Sequence, residues 1–256
     1  RFLTTDIWEI EFIEGGMLPA PPKQPLVLPQ ECVALLSGGL DSLIGGLDLA
    51  AAAAKPYLVS QVSNGDKKNQ TFFALKIGGD QAHLQLNHNA KCPGPNERSQ
   101  RSRSLVFLAY GVLAATVLAR YQRGETVTLY ASENGLIAIN PPLTPARLGA
   151  LSTRTMHPVY LAQLQELLEA AGLRVLIENP YRFKTKGEML AECADQDFLV
   201  KNAHSSTSCG RYGTFGYKHC GRCLPCLIRR ASFHAWGQKD KTKYVYDKLG
   251  KSDGDQ

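Results

Sequence analysis

Six small and polar residues form the clearest chemical motif of the chain, Ser37-Gly38-Gly39-Leu40-Asp41-Ser42. Two adjacent glycines can adopt backbone angles that are closed to other residues, so successive N–H groups can converge on one anion. A helix that starts here adds unpaired N–H groups and the positive end of its dipole. Ser37 and Ser42 supply hydroxyl donors, and Asp41 either caps the helix or holds Mg²⁺ through water. The motif predicts a phosphate-binding loop, and the alternative is an ordinary capped turn.

Four of the seven cysteines form a second motif, at Cys209, Cys220, Cys223 and Cys226. Four thiolates at the spacing C-x10-C-x2-C-x2-C satisfy tetrahedral Zn²⁺ in a closed, structural site. In a chain without signs of secretion, this spacing favours a metal over disulfides. An iron–sulfur cluster and four unrelated free thiols stay open as alternatives. His219 is unnecessary as a ligand, and we expect it beside the metal site or at the surface.

Strand and helix patterns alternate around these motifs. Strands are predicted over residues 31–36, 57–62, 126–131 and 174–177, and more weakly over 72–77 and 83–86. Helices are predicted over residues 43–54, 104–122, 159–171 and 186–194. Alternating apolar and polar residues over 3–14 predict a further strand or hairpin arm. This order predicts an α/β fold in which an open parallel sheet carries helices on both faces.

Composition and charge narrow the class of protein. The 256 residues are 44% hydrophobic and 20% charged, which is typical of a globular protein and argues against disorder. The longest apolar stretches are far shorter than about 18 residues, so no membrane span is predicted. The net charge of +6 resides in residues 201–256, which hold 11 basic and 4 acidic side chains. This excess favours either an anionic partner such as nucleic acid or a solvated surface.

Motifs and composition divide the chain into four segments. We predict an N-terminal arm and Pro-rich linker over 1–30, a nucleotide-binding domain over 31–200, a zinc-binding lobe over 201–237 and a basic tail over 238–256. Because the sequence begins with Arg1 rather than Met, we expect the arm to be the remnant of a larger region.

Together, the motifs resemble the QueC family, the 7-cyano-7-deazaguanine synthases. Ser37–Ser42 match the signature of the PP-loop ATP pyrophosphatases, a group that also contains GMP synthetase, NAD synthetase and tRNA-modifying ligases; no Walker-type lysine follows the loop. Thr185-Lys186-x-Glu188-Met189 resembles the TK-x-E-I segment of QueC, and Cys223-x2-Cys226-x2-Arg229-Arg230 resembles its C-x2-C-x2-R end. The resemblance covers residues 31–237.

The resemblance implies a Rossmann-like fold of the adenine nucleotide alpha hydrolase (HUP) type and a cytoplasmic, ATP-dependent C–N ligase. The carboxylate of 7-carboxy-7-deazaguanine would attack the α-phosphate of ATP, and ammonia would convert the acyl-adenylate to an amide and, after a second adenylation, to a nitrile. Ser37–Ser42 would bind the pyrophosphate end of ATP. Lys186 and Asp41 would be catalytic, with Mg²⁺ and Lys186 neutralising charge. A solvated lysine at a helix start is the alternative for Lys186.

The segment after the fourth strand departs from the acidic stretch of the family and reads Glu133-Asn134-Gly135. Glu133 follows the carboxyl end of a strand, where open α/β sheets bind ligands. Its carboxylate could accept two N–H bonds from a guanine-like edge, so we predict Glu133 and Asn134 as substrate residues; a capping or surface glutamate is the alternative. These departures resemble QueC-like proteins of bacterial anti-phage defence operons, the Qat type with its QatC protein. That resemblance implies a different acceptor amine, a protein partner or a homodimer.

Two other functions stay open. A tRNA-modifying PP-loop ligase is favoured by the basic C-terminal region, although no separate RNA-binding module is visible. A non-catalytic subunit would use the loop only to bind nucleotide within a defence complex. We expect one or two of five arginines to reach the site, from Arg98, Arg101, Arg103, Arg147 and Arg154.

Overall fold

Five parallel strands build one sheet in the order β3-β2-β1-β4-β5. The computed structural model describes residues 7–11, 13–17, 20–21, 23–24, 26–62, 65–87, 103–139, 141 and 154–250. The strands are β1 (Cys32–Leu35), β2 (Pro56–Gln61), β3 (His83–Leu86), β4 (Val127–Tyr130) and β5 (Val175–Glu178). The strand order reverses on either side of β1, which pairs with β2 and β4. Such a reversal leaves a crevice at the carboxyl ends of the strands, where ligands bind in open α/β sheets.

Helices cover both faces of this sheet. In chain order they are α1 (Leu40–Ala51), α2 (Lys67–Gly78), α3 (Arg103–Thr116), α4 (Ala119–Gln122), α5 (Gly135–Ile139), α6 (Pro158–Ala170), α7 (Lys186–Glu192), α8 (Gln196–Asn202) and α9 (Leu224–Trp236). Val33 and Leu35 of β1 pack with α3 and α6 on one face. Ala34 and Leu36 pack with α1, α2, α7 and α9 on the other. The predicted Rossmann-like α/β fold with a parallel sheet is therefore confirmed.

The strand prediction for residues 72–77 is wrong, because these residues lie within α2. Phe73, Ala74 and Ile77 are buried, while Phe72 and Leu75 are exposed. This spacing of i, i+1 and i+4 is that of one helix face. The predicted helix over 104–122 is interrupted after α3, where Leu118 forms a bridge with Leu28 before α4 begins.

The predicted strand at 3–14 is also not observed in the residues that the structure describes. Residues 7–11 and 13–14 form no strand, whereas 3–6 and 12 lie outside the described ranges. Ile7, Trp8 and Ile10 are exposed. An alternating pattern forms a strand only where a neighbouring strand satisfies its backbone hydrogen bonds, and these residues lie outside the sheet.

The edge strand β5 is covered by a side chain of α6. Gln165 Nε2 donates a hydrogen bond to the carbonyl of Val175 at 3.1 Å, and Gln165 Oε1 accepts one from the Ile177 N–H at 3.1 Å. A single amide thus satisfies two backbone groups of this edge. Within the described part of the chain, no helix combines the length and the apolarity that crossing a bilayer requires.

Gly135, the first residue of α5, approaches the loop before α7 more closely than any other residue type could. Its N–H donates to the carbonyl of Lys184 at 2.8 Å, and a Cβ atom at Gly135 would lie 2.5 Å from the carbonyl oxygen of Arg182. We expect Gly135→Ala to lower the free energy of unfolding by about 1–3 kcal/mol, because the two backbone segments must separate. Urea titration measures this change.

Gly213→Ala is the matched control, since nothing lies within 4 Å of the position that its added methyl group would take and its φ is not positive. Its free energy of unfolding should change by less than about 0.5 kcal/mol. Equal effects of the two substitutions would contradict the steric argument.

Candidate functional site

The glycine loop Ser37–Ser42 directly follows β1 and opens α1. Its two serines bond to each other: the Ser42 hydroxyl accepts from the Ser37 N–H at 3.2 Å, and the two Oγ atoms lie 3.0 Å apart. Gly38 has a φ of +86°, a conformation that favours glycine. Gly39 is the N-cap of α1 and provides no side-chain cap. The first N–H groups of α1 are therefore left without the side-chain acceptor that a capped turn would supply.

Two neighbouring elements hold this loop in place. From α2, Gln70 Nε2 donates to the carbonyls of Ser37 and Gln61, both at 3.1 Å. From the segment before the first motif cysteine, the Thr207 N–H donates to the carbonyl of Gly38 at 2.9 Å. The glycine loop is thus held by hydrogen bonds from α2 and from residue 207, just before the four-cysteine motif.

Asp41 lies in the first turn of α1 and forms a buried network with two distant residues. Lys186 Nζ is 2.5 Å from Asp41 Oδ1, and Asn134 Nδ2 is 2.6 Å from Asp41 Oδ2. Burial raises the pKa of Asp41, but the charge and hydrogen bond of Lys186 and the hydrogen bonds of Asn134 outweigh it and hold the pKa below its usual value. The carboxylate is therefore ionised, and it does not act as a helix cap.

A capping box fixes the start of α7 and so directs Lys186. The Thr185 hydroxyl accepts from the Glu188 N–H at 3.2 Å, and the Glu188 carboxylate accepts from the Thr185 N–H at 2.6 Å. The Lys186 side chain is only 11% exposed. It is not the solvated lysine that was the alternative.

Glu133 lies just beyond β4, half-buried, on the wall of the cleft above the glycine loop. Burial and the neighbouring Asp41 charge raise its pKa to about 8, against the opposing effect of Lys186. Asn134 takes a different position: it is fully buried, its amide bonds to Asp41, and its Oδ1 accepts from the Ile137 N–H at 3.3 Å. Of the two predicted substrate residues, Glu133 is on the cleft wall and Asn134 lies behind Asp41.

This cleft has a volume of about 190 Å³ and adjoins a cavity of about 700 Å³ with which it shares Ser37, Gly39, Glu133, Thr207, Ser208 and Pro225; the two are together called the cleft. This size is typical of small-molecule sites. The sequence prediction missed the wall residues Ser104, Phe107, Thr207, Ser208, Tyr212 and Tyr217. For Thr207 and Ser208, the sequence does hold a signal, because they directly precede the motif cysteine Cys209. Arg103 also lines the cleft, whereas Arg98, Arg101, Arg147 and the Arg154 side chain lie outside the described residues.

The four motif cysteines converge on one point. All four sulfurs lie within 4.8 Å of one another, and the pairs Cys209–Cys223 and Cys220–Cys226 are both 3.9 Å apart. A tetrahedral ion with bonds of about 2.3 Å needs sulfurs about 3.8 Å apart. A cluster of several irons needs wider spacing between some of the sulfurs, because its four thiolates bind to different irons rather than to one ion. The centre could therefore hold one metal ion.

The surroundings of this centre suit thiolates. The N–H groups of Arg211 and Cys220 donate to the Cys209 sulfur, both at 3.3 Å, and the Cys223 N–H donates to the Cys220 sulfur at 3.3 Å. His219 is buried rather than at the surface. Its Nε2 accepts from the Ser208 N–H at 3.1 Å, so this nitrogen faces away from ligation.

Basic residues of the C-terminal region contact the chain itself. Arg230 donates to the carbonyls of Tyr246 and Asp247 at 2.9 and 3.0 Å, and its guanidinium lies 3.8 Å from the Tyr244 ring centre. Arg222 lies over the Tyr246 ring at 4.4 Å. Part of the positive charge thus holds the segment after α9 against the cysteine lobe, and residues 251–256 lie outside the described ranges.

Fold and site together define a Rossmann-like α/β protein with a candidate ligand cleft at the reversal of strand order and a candidate metal centre at its rim. The family model described as "Queuosine biosynthesis protein QueC" matches residues 156–237, about a third of the chain. This segment contains Lys186 and all four motif cysteines, whereas the glycine loop lies outside it.

Curated relatives point to the same family. The 7-cyano-7-deazaguanine synthase of Methanocaldococcus jannaschii is 33% identical over 89 residues, which are 34% of this chain and 38% of the relative. The enzymes of that name from Brucella canis and Brucella suis are each 29% identical over 144 residues, 56% of this chain and 52% of the relative. The chain thus matches about half, or less, of the length of these relatives and resembles QueC proteins over that part.

A test of the metal centre compares two buried cysteines. We expect the purified protein to hold one metal ion per chain, and we expect Cys226→Ser to lose it and to unfold roughly 5–10 °C lower, because a structural metal contributes folding energy. Cys193 is buried in the hydrophobic core between the sheet and helices α1, α2, α7 and α9, and it is not one of the four clustered cysteines. Cys193→Ala should therefore keep the metal. Elemental analysis and thermal unfolding give both readouts. Full metal content in Cys226→Ser would contradict the four-sulfur site.

The raised pKa of Glu133 predicts a pH-dependent stability. Between its usual value of 4.5 and about 8, ionisation of Glu133 costs the folded chain stability as the pH rises. Without added Mg²⁺, Glu133→Gln should therefore exceed the wild type in unfolding free energy by at least about 1 kcal/mol near pH 9 and match it near pH 5. Urea titration at both pH values measures this. The exposed Glu178→Gln is the control and should show no such gain; a pH-independent difference for Glu133→Gln would contradict the assignment.

Proposed function

We propose that the chain is a QueC-like enzyme that uses ATP to adenylate the carboxylate of a 7-deazaguanine. The observation that carries the proposal is the buried Asp41–Lys186 pair beside the glycine loop, because it joins that loop to the segment that matches the QueC family model. A carboxylate oxygen attacks the α-phosphorus of ATP, the bond to the β-phosphate oxygen breaks, and pyrophosphate leaves. An amine nitrogen then attacks the acyl carbon, AMP leaves, and the nitrogen loses a proton.

The residues of the cleft suit these steps. The backbone N–H groups and hydroxyls of Ser37–Ser42 bind the phosphates, and Lys186 offsets the charge that develops at the α-phosphate. Asp41 and Glu133 offer adjacent carboxylate oxygens, the ligand type that Mg²⁺ prefers. When bound, Mg²⁺ would neutralise phosphate charge. If Glu133 does not bind Mg²⁺, its carboxylate would accept N–H bonds from the guanine-like edge of the substrate.

The cysteine centre takes a structural role in this proposal. Four sulfurs at tetrahedral spacing, with no side left for a substrate, are typical of closed Zn²⁺ sites. The ion would fix Cys209 and Cys220, the two ends of the loop that carries Tyr212 and Tyr217 into the cleft. Zinc would thus shape the cleft wall without taking part in the chemistry.

The identity of the acceptor amine, a role in anti-phage defence, a homodimer or protein partner and a cytoplasmic location all stay predictions. A tRNA-modifying ligase has less support, since Arg222, Arg229 and Arg230 already contact rings, carbonyls and hydroxyls of the chain itself. A salt-sensitive gel shift with tRNA would favour that ligase. Nucleotide binding without any pyrophosphate release would favour the non-catalytic subunit.

The proposal is tested by pyrophosphate release from ATP with 7-carboxy-7-deazaguanine. We expect release by the wild type and a loss of roughly a hundredfold or more in Lys186→Met, because a buried cation at the reacting phosphate is removed. Mass spectrometry of the products identifies an amide, a nitrile or a protein conjugate.

Lys184→Met is the matched control, since Lys184 is 40% exposed and pairs with Glu192. Its rate should stay within about twofold of the wild type, as for other exposed ion pairs. If the wild type releases no pyrophosphate with this substrate, alone or with added partner proteins, the enzyme assignment is wrong.

A further inference from the structure

The cysteine lobe, residues 203–237, places several hydroxyls on the cleft wall, and that of Ser208 has a distinctive environment. Ser208 is half-buried and lines the same cleft as Ser37, Gly39 and Lys186. It immediately precedes Cys209, the first motif cysteine, and follows Thr207, which bonds to the glycine loop. Ser208 therefore lies where the metal centre and the glycine loop meet.

A buried arginine stands directly behind this hydroxyl. Arg229 is fully buried, and its Nη1 donates to the Oγ atoms of Ser208 and Ser206 at 2.9 and 3.0 Å. Its other donors reach Thr242 Oγ1 at 3.0 Å and the Ala203 carbonyl at 2.6 Å. All four acceptors are neutral, and in the described part of the chain no carboxylate bonds to the guanidinium, so its charge polarises these acceptors.

The two serines differ in where their own protons go. A guanidinium can only donate, so both Oγ atoms act as acceptors toward Arg229 and each keeps one O–H to donate. Ser206 donates to the carbonyl of Ala203 at 2.7 Å. Across the ranges that the structure describes, no protein atom accepts the Ser208 proton. Because Ser208 lies on the cleft wall, its O–H can donate a hydrogen bond to a bound ligand.

The backbone holds this donor rigidly. The Ser208 N–H donates to His219 Nε2 at 3.1 Å, and the following sulfur belongs to the four-cysteine cluster. A fixed donor that is polarised by a buried cation suits an anionic acceptor, because charge-assisted and chained hydrogen bonds are stronger than isolated neutral ones.

We propose that Ser208 donates a hydrogen bond to a negatively charged oxygen of the ligand in the cleft, and that Arg229 is the residue that positions and polarises it. The inference rests on the proposed function and deepens it, because it adds an anion-binding group from the cysteine lobe to those of the glycine loop. The oxygen belongs either to a phosphate of the nucleotide or to the carboxylate of the deazaguanine.

The test measures ligand affinity by calorimetry for wild type, Ser208→Ala, Ser208→Thr and Ser206→Ala. The probes are a non-hydrolysable α,β-methylene ATP analogue with Mg²⁺ and, separately, 7-carboxy-7-deazaguanine. Ser208→Ala should weaken binding of one probe roughly tenfold to a hundredfold, and Ser208→Thr, which keeps the hydroxyl, should restore most of it. Ser206→Ala removes an acceptor of the same arginine away from the cleft and should leave both affinities near wild type. Metal content and thermal unfolding establish that each variant is folded.

The results distinguish a phosphate from a carboxylate as the acceptor, and they test the role of Ser208 separately from the proposed function. A loss for the ATP analogue assigns the oxygen to a phosphate, and a loss for the deazaguanine assigns it to the carboxylate. Unchanged affinities in Ser208→Ala, or equal losses in Ser206→Ala, overturn the inference while leaving the proposed function intact. If the wild type binds neither probe, the proposed function fails and the inference falls with it.

A second arm addresses Arg229. In an Arg229→Lys background that retains metal and a cooperative unfolding transition, the Ser208→Ala effect should shrink, because a single ammonium with three donors cannot keep all four bonds that the guanidinium makes from Nε, Nη1 and Nη2. An undiminished effect would assign Arg229 to packing alone.

Discussion

The ion pair between Asp41 and Lys186 is the interaction on which the candidate site depends. It joins the start of α1 to the start of α7 across 145 residues of sequence. Withdrawing both charges from water is costly, and such a pair persists only when its remaining polar atoms are satisfied. Asn134 donates a hydrogen bond to the second carboxylate oxygen of Asp41. The backbone of the next residue, Gly135, packs closely against residues 182–184 just before α7, which holds Asn134 near the start of that helix.

A second buried cation, Arg229, organises the opposite side of the cleft. Its acceptors come from the segment between α8 and the first motif cysteine and from the segment after α9. The pKa of this guanidinium is lowered by burial, which the nearby Tyr244, Asp240 and Cys226 counteract. Four thiolates around a divalent ion would carry a net charge of about −2. A filled metal centre would therefore also compensate the buried arginine, and the two features belong to one electrostatic unit.

Local patterns predicted the sheet and the convergence of the four cysteines, because each depends on residues that are close in sequence. Runs such as Cys32–Leu35 are buried on both faces and are apolar throughout. The strand prediction for 72–77 is wrong because six mostly apolar residues fit both the two-residue repeat of a strand and the 3.6-residue repeat of a helix. The helix becomes recognisable only when the polar residues 67–71 are included. The meeting of Glu133 with Asp41 and Lys186, and the arrival of Tyr212 and Tyr217 at the cleft, are products of tertiary packing. No spacing in the sequence encodes them.

The amide of Gln165 has a consequence for assembly. Open sheets commonly recruit further strands through an unpaired edge, whether from another copy or from an extended peptide. At β5 the carbonyl of Val175 and the N–H of Ile177 are already engaged by this side chain. A strand that approaches this edge would therefore have to displace Gln165 before it could pair with the Val175 carbonyl and the Ile177 N–H.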